Sequence, residues 1–255
     1  MTASSGFFSF LDPIYTVFGW LLAQFYALVP NYGFAIIMLT TVVMGVLTPL
    51  TVKSTKSMVA MQQIQPELKK LQQKYKGPEN RQVLNEELQR LYRESGTNPF
   101  ASCLPVLAQA PFLFILYNVI RGLTHHTPAG DIFPLYIPET SKMFTHLVNT
   151  EGKILTFGMD LALKPFDNHG STFAAIPFFV MVALAVGLQY FQMAQINNRN
   201  KKTGQEIPSQ QQRIQKIFPI LFAYFYFIIP AAVTLYMVVS SAIRIVTQEI
   251  GRAHV

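Results

Sequence analysis

The chain has 255 residues, of which 51% are hydrophobic and only 13% are charged, and its formal net charge is +7. This low charged fraction excludes an ordinary soluble domain. The long apolar runs make the basic balance a membrane-topology signal rather than a sign of nucleic-acid binding.

Residues 1–30 are predicted to form an interfacial amphipathic helix. The stretch 7–29 is apolar but is interrupted by Asp12 and Pro13. Its many aromatic side chains, Trp20 among them, suit the boundary between lipid headgroups and hydrocarbon. A sixth membrane span over the same residues is the alternative. The lack of Lys and Arg in this stretch argues against a cleaved signal peptide.

The rest of the chain, residues 31–255, is predicted to be an all-α polytopic membrane protein. Apolar runs long enough to cross a bilayer occur at 33–52, 100–121, 172–194, 213–229 and 231–250. At about 1.5 Å per residue, the first of them extends for roughly 30 Å. Pro230 separates the last two runs, which are therefore predicted to form a tight hairpin of spans.

The first span carries a polar stripe that a simple lipid anchor does not need. One face of its helix is shared by residues in a 4-4-3 spacing, Thr40, Met44, Thr48 and Thr51. Polar side chains in spans turn toward neighbouring helices or toward a cavity. The other spans offer matching groups, Gln109, Asn118, Gln189, Gln192, Tyr236 and Ser240. We therefore predict a shared polar groove; the alternative is that these residues merely join helices.

A charged insert at 65–97 follows the first span and is predicted to form a helical hairpin. Pro66 suits a first helical turn, Gly77 suits a helix end, and Pro78 suits the start of the return helix. The hairpin is either a solvated connector or a contact surface for a cytoplasmic partner. The basic residues that would serve such a contact, together with two from the later loop, are Lys69, Lys70, Lys74, Lys76, Arg90, Lys201 and Lys202.

The distribution of basic residues predicts the orientation of the chain. Nine Lys and Arg residues lie between Lys53 and Arg93, and five more lie between Arg199 and Lys216. The connection 122–171 contains only three lysines. By the positive-inside rule, the N-terminus lies outside, the C-terminus is cytoplasmic, and 122–171 is an outer loop.

The outer loop contains His125, His126 and Asp131, but no spacing in it is typical of a metal site. We predict no metal, and we expect one or two short interfacial helices in this loop. No nucleotide-binding motif and no arrangement of catalytic residues is visible, so an enzyme is not predicted.

Short motifs follow one another in a distinctive order: Gln65-Pro66, the charged hairpin, Asn98-Pro99, Cys103-Leu104-Pro105, Gln109-Ala110-Pro111, Phe218-Pro219 and Pro230-Ala231-Ala232. In this order they resemble the YidC/Oxa/Alb family of membrane protein insertases over roughly residues 31 to 250. The short aromatic N-terminal segment resembles the Gram-positive, actinobacterial-like form of that family.

The resemblance implies a five-span insertase core in the plasma membrane, with a polar groove open to the cytoplasm and to lipid. Its expected clients are nascent membrane proteins, whose hydrophobic segments it moves into the bilayer. The Sec translocon, the signal recognition particle receptor and the ribosome are the further partners implied. The resemblance implies no cofactor.

One position departs from the family pattern. The family usually has an arginine one helical turn beyond the threonine that matches Thr40, whereas this sequence has Met44. The central positive charge is therefore absent from its usual place. Arg244 in the fifth span is the candidate substitute, and the alternative is that its side chain simply reaches the cytoplasmic interface.

Two other functions share some of these features. A small-solute transporter would use buried polar groups, but it should also have acidic residues near the middle of the membrane or inverted repeats, and neither is visible. A folding or assembly chaperone without insertion activity is the second alternative, because the groove arginine is missing.

Overall fold

The computed structural model describes residues 11–77, 79–96, 104–202 and 209–253. Within these ranges the chain forms nine helices and one short β-hairpin, so the predicted helical fold class is confirmed. The elements are α1 (Asp12–Leu28), α2 (Tyr32–Gln63), α3 (Gln65–Lys74), α4 (Arg81–Glu94), α5 (Leu104–Leu123), α6 (Lys142–Asn149), β1 (Leu155–Thr156), β2 (Met159–Asp160), α7 (Thr172–Lys202), α8 (Ser209–Ile228) and α9 (Ala231–Ala253). The motif residues Asn98, Pro99 and Cys103 lie outside the described ranges.

Local sequence explains where several helices begin. Pro13 and Pro66 stand in the first turns of α1 and α3, where a missing N–H breaks no helical hydrogen bond. The Asn31 side chain accepts a hydrogen bond from the backbone N–H of Phe34 at 3.0 Å and so caps α2. Ser141 caps α6 in the same way.

Helix α9 lies in the middle of the bundle. It packs along α2 on one side and along α7 on the other, and its residues 231–237 are all buried. Helix α5 packs on α1, α2 and α9, whereas α8 packs on α7. The long helices therefore form an open arrangement in which α5 and α8 lie at opposite ends.

Two of the described helices are long and apolar enough to cross a membrane. They are Tyr32–Ser54, with a mean hydropathy of 2.1, and Thr172–Gln195, with a mean hydropathy of 2.0. The stretch Ala231–Thr247 is a shorter apolar helix. Helices α5 and α8 cover most of two further predicted spans, but the count of five spans stays a prediction.

Helix α2 is continuous through Pro49 and extends past the predicted span 33–52 as far as Gln63. Helices α3 and α4 follow and pack against each other, and α4 has no buried residue. Gly77 ends the first part of this pair with a φ of +128°, a backbone conformation that favours glycine. The position of 65–97 on the cytoplasmic side stays a prediction.

The connection between α5 and α7, residues 124–171, folds over one end of the bundle, and we call it the cap. It contains the short helix α6, as expected, but also the antiparallel β-hairpin β1–β2, which no pattern in the sequence predicts. The backbone carbonyls of Leu161 and Leu163 accept hydrogen bonds from the N–H groups of Ala232 and Ala231 at 2.8 and 2.9 Å. The cap therefore satisfies donors that the first turn of α9 leaves free.

Helix α1 is held to the bundle by a close contact with the cap. A Cβ atom at Gly19 would lie 2.2 Å from the backbone oxygen of Tyr136, and one at Gly122 of α5 would lie 2.7 Å from the Tyr136 ring. Tyr136 itself has a φ of +67° and packs on Tyr15 with ring centroids 5.2 Å apart. Two glycines therefore leave the space that Tyr136 occupies between α1 and α5. The interfacial position of residues 1–30 stays a prediction, and residues 1–10 lie outside the described ranges.

An aromatic cluster joins α1, α2 and the cap. The Tyr26 hydroxyl hydrogen-bonds to Nδ1 of His146, and the Tyr26 and Tyr32 rings lie 4.6 Å apart. The Tyr32 and His146 rings are stacked, with centroids 5.8 Å apart. This cluster fixes the cap end of α2, from which the predicted polar stripe begins.

Candidate functional site

The threonines of α2 are bonded to their own helix. The hydroxyls of Thr40 and Thr48 donate to the carbonyls of Ile36 and Met44 at 2.6 and 2.8 Å. Thr40 is 0% exposed and Met44 is also buried, whereas Thr48 is half-buried. The predicted stripe thus faces the bundle, but these hydroxyls are satisfied locally, as is common for threonine in helices.

Three glutamines link neighbouring helices. The Gln109 amide of α5 donates to the Tyr236 hydroxyl of α9. The Tyr226 hydroxyl of α8 donates to Oε1 of Gln189 in α7 at 3.1 Å. A third link runs from the amide nitrogen of Gln192 in α7 to the backbone oxygen of Ser241 in α9, at 2.9 Å. The predicted glutamines therefore do contact neighbouring helices, and their partners Tyr226 and Ser241 are polar residues of the last two predicted spans.

Arg244 lies on the α9 face that carries this polar contact. Its guanidinium donates to the Ser241 hydroxyl at 3.2 Å. The charge lies within electrostatic reach of the Tyr226 and Tyr236 hydroxyls, and the side chain is half-buried. Arg244 forms no ion pair within the part of the chain that the structure describes. A buried or half-buried cation without a carboxylate partner is unusual and points to a functional site.

Two of the predicted site residues are bonded only within their own helix turn. The Asn118 amide donates to the carbonyl of Phe114 at 2.8 Å, and the Ser240 hydroxyl donates to the carbonyl of Met237 at 3.1 Å. Ser240 is buried, and Asn118 is half-buried on α5. Neither side chain extends the interhelical contacts.

The accessibility of the polar residues changes along α2 and α9. Near the cap, Thr40 is sealed and Tyr236 is only 2% exposed. Further from the cap, Thr48 and Arg244 are half-buried, as are Gln189 and Gln192 of α7. These six polar residues, which we call the seam, are closed toward the cap and half-buried at the other end, where Ser241 beneath Gln192 and Arg244 is itself buried.

Five of the predicted basic contact residues lie on or directly after α3 and α4, whereas Lys201 and Lys202 end helix α7 rather than lying in a loop. Lys70 and Arg90 line a groove between these helices together with Glu67, Glu87 and Glu94. Arg90 donates from Nε to Glu94 at 2.8 Å, and this hydrogen bond raises the pKa of Arg90. The groove therefore carries both signs of charge. The remaining predicted residues are half-buried (Lys69), exposed (Lys74, Lys76) or have side chains outside the described part (Lys201, Lys202).

The Gln109–Tyr236 bond offers a direct test of the interhelical contact. Gln109→Leu and Tyr236→Phe should each destabilise the bundle, with a coupling energy of about 0.6 kcal/mol and an upper bound of roughly 1.7 kcal/mol, as for hydrogen bonds between membrane helices. A double-mutant cycle measured by reversible unfolding in detergent checks this value. Asn118→Leu is the matched control on α5, because Asn118 is bonded within its own helix. Coupling as large between Asn118→Leu and Tyr236→Phe would contradict the assignment.

No group of three or more His, Cys, Asp or Glu side chains that could hold a metal ion is found among the residues that the structure describes.

Comparison with known proteins extends over nearly the whole chain. The family model of the 60Kd inner membrane protein matches residues 24–254. A membrane protein insertase YidC of Streptomyces avermitilis is 32% identical over 256 residues, covering 92% of this chain and 56% of that protein. A YidC of Treponema denticola is 31% identical, covering 98% of this chain and 38% of that protein.

A chloroplast relative and a solved structure are also similar. The inner membrane ALBINO3-like protein 2 of Chlamydomonas reinhardtii is 35% identical, covering 83% of this chain and 47% of that protein. The chain spans about half or less of the length of these curated relatives. A crystal structure of an active YidC insertase, with its first transmembrane domain resolved, superimposes with a TM-score of 0.60 at 23% identity, over 93% of this chain and 46% of that one. This last similarity supports the fold.

Proposed function

The chain belongs to the 60Kd inner membrane protein family, and on this premise we propose that it is an insertase that moves hydrophobic segments of newly made proteins into the lipid bilayer. The observation that carries the proposal is the polar seam, sealed near the cap at Thr40 and Tyr236 and partly open at Thr48 and Arg244. A seam open at one end suits partial entry of a polar client segment from that side.

The proposed topology places the cap outside and the α3–α4 pair in the cytoplasm. The dense basic residues around α3, α4 and the end of α7 support this orientation, since basic loops are retained on the cytoplasmic side. The five proposed spans are α2, α5, α7, α8 and α9. In this orientation the open end of the seam faces the cytoplasm.

The open arrangement of the helices supports a lateral exit to lipid. Helix α5 packs on α1, α2 and α9, while α8 packs on α7, and no packing of comparable extent joins α5 to α8 among the described residues. Exposed apolar residues line these two helices, among them Phe114 on α5 and Tyr224 on α8. We propose that a client span leaves the seam between α5 and α8.

The physical benefit of the seam is a shorter hydrocarbon path. An unpaired amide or hydroxyl in an apolar medium costs roughly 2–7 kcal/mol, and a charge costs more. Polar side chains and water within the cytoplasmic half would lower that barrier for the polar part of a client. Transfer of its hydrophobic span into lipid is then favourable by itself, so no nucleotide is needed.

Arg244 is proposed to supply the positive charge of the seam. The family arginine position is Met44 here, and Met44 is buried in the apolar core. Arg244 lies on α9 beside Ser241, half-buried and without an ion pair among the described residues. It is therefore available to an acidic residue in the polar part of a client.

Insertion requires the seam to widen beyond the closed arrangement described above. The Gln109–Tyr236 hydrogen bond joins α5 to α9, and Tyr236 is almost completely buried. We propose that this bond separates when a client enters, and that polar groups of the client replace it. Met237, which follows Tyr236, and Met44 of the same buried cluster offer a flexible apolar surface for varied spans.

The proposed function is tested by reconstitution into protein-free liposomes. A single-span client synthesised in their presence should gain a protease-protected fragment only when this chain is in the bilayer. Empty liposomes and liposomes with heat-denatured chain serve as controls. If empty liposomes give the same amount of protected fragment and the client is only misfolded in them, the chaperone alternative is favoured. Saturable solute flux without client protection would favour a transporter.

The α3–α4 pair is proposed as the contact surface for a cytoplasmic partner: the ribosome, the Sec translocon or the signal recognition particle receptor. The support is its projection from the bundle and its exposed basic residues, such as Lys70 and Lys74.

Charge reversal tests the ribosome as this partner. Lys70→Glu with Lys74→Glu, combined with reversal of Lys201 and Lys202, should weaken co-sedimentation with ribosomes, and the loss should grow as salt is lowered. Reversal of Lys153 and Lys164 in the cap is the control on the opposite side, and it is compared with Lys70→Glu, Lys74→Glu alone, which changes the net charge by the same amount. This contact is ruled out if both sets of reversals weaken co-sedimentation equally, or if neither set weakens it.

A further inference from the structure

The β-hairpin of the cap turns large apolar side chains away from the protein. Along residues 154–157 burial alternates: Ile154 and Thr156 are buried, whereas Leu155 and Phe157 are 59% and 60% exposed. Alternation is expected for a strand with one face on the core, but in water the outer face is polar. Here the outer face is apolar, which indicates that something other than water covers it.

The hairpin sits at the level where the long helices end. The Thr156 hydroxyl accepts a hydrogen bond from the backbone N–H of Gly33 at 3.1 Å. A Cβ atom at Gly33 would lie 2.7 Å from the Phe157 ring, so the turn of the hairpin rests on the first turn of α2. The following segment, through Leu161 and Leu163, caps the first turn of α9. These contacts place Phe157 beside the ends of two bundle helices.

The turn holds Phe157 outward in a conformation that phenylalanine rarely adopts. Phe157 and Gly158 have φ angles of +54° and +74°, which is the pattern of a type I′ hairpin turn. Asparagine or glycine suits the first of these positions better than an aromatic residue. A bulky apolar side chain kept there against its backbone preference points to a function for the side chain.

A second apolar group connects the cap with the outward surface of the bundle. Phe166 is 72% exposed, and its ring lies 5.0 Å from Phe227 of α8 and 5.7 Å from Phe179 of α7. Ile176 and Val180 continue this apolar surface along α7. In the proposed membrane topology this surface faces acyl chains, and Phe166 extends it into the cap.

Basic residues stand next to both apolar groups. Lys153 precedes Leu155 by two residues, Lys164 precedes Phe166 by two residues, and both lysines are exposed. The nearby Glu151 and Asp167 are exposed too, and Asp167 accepts a hydrogen bond from the backbone N–H of Lys164 at 2.8 Å. Apolar side chains flanked by lysine match a bilayer boundary, where the apolar groups enter hydrocarbon and the ammonium groups meet phosphate.

We propose that Leu155, Phe157 and Phe166 anchor the cap in the adjoining bilayer leaflet, with Lys153 and Lys164 at the lipid phosphates. The occupant of this surface is lipid. The anchor fixes the depth in the bilayer of the hairpin, which contacts the start of α2, and of the following segment, which caps α9. It depends on the membrane location of the chain and not on its insertase activity, so the two fail separately.

Tryptophan fluorescence tests the anchor in the full chain. Trp20 is the only tryptophan, so a Trp20→Phe background accepts a single new reporter. In this background, Phe157→Trp in phosphatidylcholine liposomes should be quenched by lipids brominated on the acyl chain, more strongly for bromine near the headgroup than near the terminal methyl. Ala129→Trp, in the exposed turn closed by the Gly130-to-Thr127 hydrogen bond, is the control that should stay unquenched. Equal, water-like emission from Phe157→Trp and Ala129→Trp would overturn the proposal. The apolar surface would then be a contact for a protein partner and not for lipid.

A second variant separates anchoring from folding. Leu155→Asn removes an exposed apolar side chain of β1 and leaves the Phe157–Gly158 turn and its contact with the first turn of α2 unchanged. In liposomes, trypsin should cleave after Lys153 faster in this variant than in the unchanged chain, while the unfolding midpoint in detergent stays the same. Equal cleavage rates in liposomes would contradict the anchor.

Discussion

Arg244→Ala should reduce insertion of clients with an acidic residue in the translocated segment by about tenfold or more. The reason is that two opposite charges attract each other more strongly in the seam than in water. Two charges at about 4 Å attract by roughly 4 kcal/mol at an effective dielectric constant of about 20, and desolvation offsets part of this. A net loss of about 1.4 kcal/mol in this attraction already corresponds to a tenfold lower rate of insertion. Protease protection in liposomes measures the rate for matched clients that differ only in Asp or Asn.

Two further variants distinguish charge from structure in this prediction. Arg244→Lys should retain most of the activity toward the acidic client. Met44→Arg, combined with Arg244→Ala, should restore it, because position 44 lies one turn from Thr40 on the face of α2 that packs in the bundle. An equal loss for Asp and Asn clients would show that Arg244 acts only on the fold.

Gly19→Ala should lower the free energy of unfolding by about 1–3 kcal/mol, the usual effect of overpacking. The new methyl group would lie 2.2 Å from the backbone oxygen of Tyr136, and a backbone atom in a turn with positive φ cannot move easily. The contact between α1 and the cap should therefore loosen. Unfolding followed by circular dichroism in detergent checks the loss.

Gly187→Ala is the control for this substitution. Gly187 lies in α7, and a Cβ atom there meets nothing within 4 Å. The exchange should therefore be neutral or stabilise the helix by up to about 1 kcal/mol. A Gly19→Ala variant as stable as Gly187→Ala would refute the close contact with Tyr136.

The helices of the bundle could be predicted from sequence because their signals are local. Apolar runs, Pro230 between two spans, and Gly77 at the end of a charged helix depend on neighbouring residues. The shared face of Thr40, Met44 and Thr48 follows from helical periodicity. Periodicity does not tell whether a threonine bonds a neighbouring helix or its own, and Thr40 bonds its own.

The interhelical pairs could not be predicted, since they join distant parts of the chain. Gln109 and Tyr236 are 127 residues apart, and their meeting depends on how α5 crosses α9. The hairpin of the cap escaped prediction because its strands are only two residues long and its turn has Phe157 where asparagine is typical. The role of Gly19 depends on Tyr136, which lies in a distant loop.

Photocrosslinking from α2 to a ribosome-bound nascent chain tests the polar seam as the client path most directly. A photoreactive residue at Met44 lies in the bundle, whereas one at Val46, two residues further on the same helix and 69% exposed, faces outward. We expect crosslinks from position 44 to the client and few from position 46. Crosslinks of equal yield from both positions, or from position 46 alone, would contradict a client path through the seam.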